Sequence, residues 1–224
     1  MKNSLLNKYT LIFKLTLKSY SPLRIFQILE IEKLKIDQEV LDLGSSKDDR
    51  NVSNYIENNH LRSYANLEPS SKDNFYINLE KYPNKIQNKY KNILLLNVLE
   101  HIKNTENCFK NVNDLIKKDG KLYGSTPFMF RIHPSPNDYY RFTKQFLDEY
   151  LVEMGFKNIK INVLGSGIFC CFYSSIFNIT RKIPFLNIFI FFTVIIVDAF
   201  LNLFSKNFKL NFPLGYFFEA EKSK

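Results

Sequence analysis

Short apolar runs alternate with longer polar stretches along most of the chain. The runs at residues 40–43, 63–67, 92–96, 120–125, 158–163 and 216–220 have strand length and strand composition. The text between them at 51–58, 107–117 and 143–154 carries helical spacing. Such alternation predicts βαβ units and a parallel sheet. The stretch "KKDGK" should end the middle helix, with Gly120 as its left-handed cap. No internal repeat interrupts the order.

One segment breaks the rhythm. From 167 to 204 the chain is strongly apolar, and Arg181, Lys182 and Pro184 divide it into two helices before strand-like text returns at "NFPLGYFFEAEK". Within "FLNIFIFFTVIIV" only Asn187 and Thr193 are polar. As a helix this run rises ~20 Å, short of the ~30 Å hydrocarbon core of a bilayer. Extending it to Phe204 adds length but takes in Asp198 and Asn202. A last strand that rejoins the sheet permits zero or two crossings, and Arg181 and Lys182 at the hairpin tip oppose two. The expectation is a hairpin lying in one leaflet, a monotopic attachment. The alternative is an apolar cover packed on the domain or on a second subunit.

Four segments follow: an N-terminal helical cap at 1–36, an α/β core at 37–165, the hairpin at 166–206, and a last strand and tail at 207–224. Residues 1–20 space Lys2, Lys8, Lys14 and Lys18 among Leu, Ile and Phe, without the apolar centre of a signal peptide. This reads as an amphipathic helix packed on its own domain.

Composition narrows the class. The 224 residues are 45% hydrophobic, enough for a sizeable core and contrary to disorder. A net charge of +9 suits an anionic partner or membrane face, but Lys33, Lys81, Lys103 and Lys144 are scattered rather than striped, so no nucleic-acid partner is expected. Cys108, Cys170 and Cys171 match no metal or redox spacing; no metal site and no disulfide framework are expected, and a cytoplasmic location follows.

Candidate chemistry begins at "VLDLGSSKDD". A strand ending in Asp42 and Gly44 ahead of a helix offers free backbone N–H groups at the carboxyl edge, where open α/β sheets bind ligands. In "SYANLEPS" Glu68 stands at the second strand tip, the place of an acid that holds ribose hydroxyls. Ser46 and Asp48 stand where glycines would admit a pyrophosphate, and Asp48 and Asp49 would repel one. A phosphate-free cofactor with a cationic or zwitterionic centre fits better. The competing use of Asp42 and Glu68 is capping of a strand-to-helix turn.

With these motifs the chain resembles the class I, Rossmann-like methyltransferases that use S-adenosylmethionine, closest to a branch acting on small molecules and saccharides. "VLDLGSS" is similar to the first motif, "NLEPS" to the second-strand acid, "FYINLEKYP" to the loop beside the adenine and "ILLLNVLEHIKN" to the fourth strand. "KKDGKLYGSTPF" is similar to the turn into the fifth strand, and "RIHPSPNDYYRFT" to the substrate-side loop. The resemblance implies a doubly wound mixed sheet of about seven strands with the hairpin inserted before the last. It places Asp42 and Gly44 at the methionine end, Glu68 on the ribose, Asn78 beside the adenine and Asn97 near the sulfonium. The chain departs from the family pattern at Ser46 and Asp48, at Asn78 and at Lys91.

Methyl transfer to a hydroxyl needs positioning and a base. His101 after the fourth strand and His133 after the fifth can face one crevice, and histidine titrates near neutral pH. His101 can equally satisfy a backbone carbonyl at a helix start. Arg131, Asp138, Tyr139 and Arg141 crowd the Pro-stiffened loop with His133 and form the expected acceptor site, with the arginines forking onto an anionic group. Arg141 can instead pair with Asp138 and hold the loop. His60 belongs on the surface. The implied reaction is methylation of a polar small-molecule or glycan acceptor, lipid-linked and serving surface-polysaccharide synthesis, at the inner face of the cell membrane. A non-catalytic methyltransferase-like module bound to a membrane or glycosyltransferase complex is the alternative.

Overall fold

The structure, a computed structural model, describes residues 2–45, 50–57, 61–68, 74–87, 89–205 and 207–223. Two helices open it, α1 (Lys2–Leu17) and α2 (Pro22–Ile31). Then follow β1 (Val40–Leu43), β2 (Arg62–Asn66), β3 (Asn74–Tyr76), β4 (Tyr90–Leu96), α3 (Thr105–Leu115), β5 (Ile116–Pro127), α4 (Lys144–Glu153) and β6 (Phe156–Leu164). The hairpin α5 (Ile168–Thr180) and α6 (Pro184–Phe204), the single turn α7 (Phe208–Asn211) and β7 (Gly215–Lys222) complete it.

The seven strands form one sheet in the order β3-β2-β1-β4-β5-β7-β6. β3, β2, β1, β4 and β5 pair in parallel. β7 runs against β6, because Leu214 N–H donates to the Leu164 carbonyl at one end and Ser223 N–H to the Gly155 carbonyl at the other. The sheet is therefore mixed, as expected. Leu41, Leu43, Ile93, Leu94, Leu95 and Leu122 are buried within it, as continuous apolar runs require in a parallel sheet covered on both faces.

Three local expectations are corrected. Residues 51–55 form a single 3-10 turn, Val52–Tyr55, capped by Asn51, whose side chain accepts from Ser53 N–H. β5 starts at Ile116, so α3 ends earlier than predicted; a bulge between Ile116 and Lys121 separates their pairings with Tyr90 and Asn92. Within it Asp119, not Gly120, takes the left-handed conformation, with φ 54°. Gly120 is needed for space: a Cβ there would lie 2.7 Å from the Lys117 carbonyl oxygen and 2.9 Å from that of Lys91.

The chain clusters into two units. The sheet unit comprises Ile31–Pro127, Ile132–Asn162 and Tyr216–Lys224; the helical unit comprises Met1–Glu30, Phe128–Arg131 and Val163–Gly215. The N-terminal helices and the hairpin, separate segments in the sequence, thus share one unit. Within it Asn187, Phe191 and Asp198 lie on one stripe of α6 and are buried. Asn187 Oδ1 accepts from Tyr173 Oη at 2.5 Å and from Thr180 Oγ1 at 3.1 Å. Asp198 receives Ser166 Oγ and the N–H groups of Phe169 and Cys170 at 2.8–3.1 Å, which caps α5 at its positive end. Two polar interruptions in this apolar text, Asn187 and Asp198, are internal fastenings, whereas Thr193 is exposed and bonds only the Phe189 carbonyl of its own helix. The opposite stripe, Phe185, Phe189, Ile196, Phe200 and Leu203, is exposed.

Candidate active site

The register places Leu43 beside Ala65 and Asp42 beside Leu94, so β1, β2 and β4 end level at one carboxyl edge. Gly44 leaves that edge with φ +76°, its N–H donating to the Ala65 carbonyl at 2.8 Å. A Cβ on Gly44 would stand 2.5 Å from Val98 Cγ2, so the turn after β1 packs directly on the second residue past the end of β4. Asp42, 1% exposed, points inward. Its Oδ2 accepts from Ser53 Oγ at 2.5 Å and from Asn51 Nδ2 at 3.4 Å, while Arg62 Nη1 donates to Ser53 Oγ at 2.6 Å. Burial pushes the Asp42 carboxyl up to about 6, against the pull of the Ser53 hydrogen bond and the Arg62 charge. The hydrogen bonds given to Asp42 thus brace the 51–55 turn against β1.

Glu68 stands exposed just past β2. Asn97, in the left-handed conformation with φ 54°, donates its N–H to the Ser125 carbonyl and ties the ends of β4 and β5. Asn78 is half-buried, its Oδ1 accepting from Glu80 N–H at 3.0 Å. Ser46, Asp48, Asp49 and His60 lie outside the described residues.

A second group gathers one turn beyond Asn97. A 3-10 turn, Leu99–His101, buries Glu100 and leaves His101 half-buried. The loop after β5 folds onto it, with Tyr139 and Tyr140 N–H donating to the Glu100 carbonyl. His101 Nδ1 faces the Asn137 carbonyl oxygen at 2.5 Å, and the two imidazole rings meet edge to face, 5.0 Å apart. Arg141 forks onto both oxygens of Asp138 at 2.5 and 2.7 Å, and Asp138 Oδ2 also accepts from His133 N–H at 2.8 Å. The Arg141 fork holds the Asp138 carboxyl well below the usual carboxylate range. Tyr139 is exposed beside this clamp. Arg131 is placed in the helical unit, its guanidinium 5.9 Å over the Phe130 ring.

The structure therefore brings His101, His133, Asp138, Tyr139 and Arg141 together in the sheet unit, and Gly44, Glu68 and Asn97 to one carboxyl edge of it. Sequence reasoning missed Glu100 beside the two histidines and the Asn51–Ser53–Arg62 network behind Asp42. The signal for Glu100 is "VLEH", an acid that ends an apolar run and directly precedes a histidine. For the network no local signal exists.

The profile of a family described as "Methyltransferase domain" matches residues 23–172. No curated protein matches the chain in sequence. Among solved structures it is similar in fold to Haemonchus contortus phosphoethanolamine N-methyltransferase 2 in complex with S-adenosyl-L-methionine, at 15% identity and TM-score 0.54, covering 88% of this chain and 52% of that one. It thus spans about half the length of that relative. A second is Burkholderia thailandensis 1,6-didemethyltoxoflavin-N1-methyltransferase with 1,6-didemethyltoxoflavin and S-adenosylhomocysteine, at 14% identity and TM-score 0.54, covering 91% and 79%. A third is a SAM dependent methyltransferase from Archaeoglobus fulgidus, at 12% identity and TM-score 0.54, covering 89% and 94%.

Proposed function

The chain belongs to the methyltransferase-domain family whose profile spans residues 23–172, and from that premise we propose that it moves the methyl group of S-adenosylmethionine to a polar small-molecule or saccharide acceptor held at a membrane surface. The observation that carries this is the level carboxyl edge of β1, β2 and β4, with the Gly44 turn, Glu68 and Asn97 along it and the two imidazoles one turn further on. The residues fit the cofactor. An exposed carboxylate past β2 suits a ribose diol, and the side-chain-free Gly44 turn suits the methionine end. Asn78 and Asn97 flank the adenine and sulfonium positions in this reading. When bound, the cofactor supplies an electrophilic methyl carbon.

The chain's own part is to position the acceptor and take its proton. With Nδ1–H of His101 donating to the Asn137 carbonyl, Nε2 keeps the lone pair that can accept a proton at the site. The Asp138–Arg141 clamp fixes the backbone that carries His133. Neighbours named for phosphoethanolamine and 1,6-didemethyltoxoflavin support a small polar acceptor.

Attachment to an anionic membrane face draws on the helical unit. α6 is 21 residues long with mean hydropathy 2.2 over its most apolar stretch, long and apolar enough to cross a membrane. Its inward stripe holds Asn187 and Asp198, whereas the exposed stripe is apolar apart from Thr193, whose hydroxyl donates to the Phe189 carbonyl within the helix. Arg181 and Lys182 at the hairpin turn add positive charge beside it. A surface-lying hairpin uses all three features, and it suits a lipid-linked acceptor in surface-polysaccharide synthesis, approached from the cytoplasmic side.

Calorimetric titration of the folded full-length chain with S-adenosylmethionine and S-adenosylhomocysteine tests the reading. Heat with either ligand that Glu68→Gln abolishes without loss of stability is expected. Absence of heat for both would refute it in favour of the non-catalytic module. Flotation with phosphatidylglycerol vesicles tests attachment: a Phe185→Asp, Phe189→Asp, Phe200→Asp variant should stay with the soluble fraction, and equal flotation of variant and wild type would exclude this surface.

A further inference from the structure

Glu100 is 0% exposed, and neither carboxylate oxygen accepts a hydrogen bond from any described residue. A buried carboxylate without donors is strongly unfavourable unless a cation meets it. The guanidinium of Arg141 is committed in a fork to Asp138. Although Arg141 feels the Glu100 charge, the ion-pair contacts to Glu100 among the described residues come from two imidazole nitrogens, His133 Nε2 at 3.5 Å and His101 Nε2 at 3.7 Å from Oε1.

Both imidazoles are oriented from behind. His101 Nδ1 lies 2.5 Å from the Asn137 carbonyl oxygen, so the proton belongs on Nδ1 and the Nε2 lone pair faces Glu100. His133 Nδ1 faces Asp138 Oδ2 at 3.4 Å, and Asp138 is held by Arg141. A carboxylate or carbonyl behind each ring, fixing tautomer and direction, is the arrangement found around histidines that ligate metals. Ligand atoms of Glu100, His101 and His133 all lie within 4.8 Å of one another. With metal–ligand bonds of about 2.0–2.1 Å, tetrahedral ligands stand ~3.4 Å apart, so the two separations from Glu100 need to contract by a few tenths of an ångström, and the imidazole nitrogens, within 4.8 Å of each other, close by turning their rings.

We propose that Glu100, His101 and His133 bind one divalent transition-metal ion, zinc being the ion best matched to two imidazoles and a carboxylate. Three protein ligands leave a coordination position open. The His101 and His133 side chains, 13% and 25% exposed, place that position on the solvent side. A small oxygen-bearing molecule can enter it. If the methyltransferase reading holds, an acceptor hydroxyl in that position becomes more acidic, and the metal takes over the task assigned above to a bare imidazole. The binding itself does not rest on that reading.

The test uses full-length chain stripped by a chelator and titrated with Zn2+ against a chromophoric competitor, with Co2+ as a spectroscopic substitute. One zinc per chain is expected, with a visible Co2+ ligand-field band and a zinc-dependent rise in Tm. Glu100→Gln and His133→Ala should each weaken zinc binding by more than about 100-fold, since loss of a direct ligand exceeds the effect of an outer partner. His60→Ala should bind as wild type. Should Glu100→Gln fail to fold, His133→Gln and the wild-type Co2+ spectrum still decide. Lack of zinc binding by folded wild type, or binding unchanged in the ligand variants, overturns the proposal. Calorimetry with S-adenosylmethionine on the same stripped protein separates the two readings: cofactor heat without metal binding sinks the metal alone, and zinc binding without cofactor heat sinks the methyltransferase reading alone.

Discussion

Replacing Gly44 by alanine tests whether the turn after β1 is packed as described. The new Cβ meets two penalties. A φ of +76° places an L-residue in the left-handed region, at roughly 1–2 kcal/mol. The Cβ would also stand 2.5 Å from Val98 Cγ2, with Cγ1 at 3.4 Å and Cβ at 3.6 Å. Val98 is buried and cannot swing into solvent, so relief requires a backbone or core shift of the over-packing kind, about 1–3 kcal/mol. Together they predict a loss of about 2–5 kcal/mol, read by urea unfolding at unchanged m. Val98→Ala removes the obstructing methyl but leaves the backbone penalty, so the double variant should lose about 1–2 kcal/mol less than the sum of the singles. A single-variant loss below about 0.5 kcal/mol, or strict additivity, would refute the contact and with it the account of how the β1 turn meets β4.

Other consequences concern the buried carboxylates. Burial holds Asp42 protonated up to about pH 6 in the folded chain, whereas an unfolded chain releases that proton near 3.8. The folded state binds more protons in that window, so this residue makes stability fall as pH rises from about 4 to 6, by about 3 kcal/mol. Denaturation of Asp42→Asn at pH 4 and pH 7 should show that drop abolished, and an unchanged drop would contradict it. Asp138 behaves oppositely: its carboxyl is depressed by the Arg141 fork, so its contribution is present above the ordinary Asp range and fades as pH falls below it. Arg141→Met should cost about 2–3 kcal/mol at pH 7 and less at pH 3, and a loss independent of pH would discount the clamp. Asp198→Ala strips the acceptor from Ser166 and from two N–H groups at the start of α5, at about 2–4 kcal/mol. Hydrogen exchange should localise the loss to α5, and protection there equal to wild type would count against the cap.

Local chemistry wrote most of the scaffold into the sequence. The runs "VLDL", "NILLL" and "YFFEA" become buried strands because backbone pleat and side-chain burial are decided within a few residues. The three-residue β3 exists only through its pairing with Tyr64–Asn66 and carries too short a pattern to be read. The helix expected after β1 shrinks to one 3-10 turn, with Ser53 joined to Asp42 eleven positions away. For the site, residue types and approximate loops were legible: Asp42, Gly44, Glu68, His101 and the 131–141 cluster all carry local signals. Their use was not. Whether Asp42 faces inward depends on the Asn51, Ser53 and Arg62 side chains that reach it from other segments, and whether Glu100 is buried beside two imidazoles depends on where a loop from β5 lands on the turn after β4. Sequence spacing sets which chemistry is available at each strand end. Only the packing of remote segments determines which groups lose water and meet, because burial and convergence are properties of the assembled chain and not of any stretch of it.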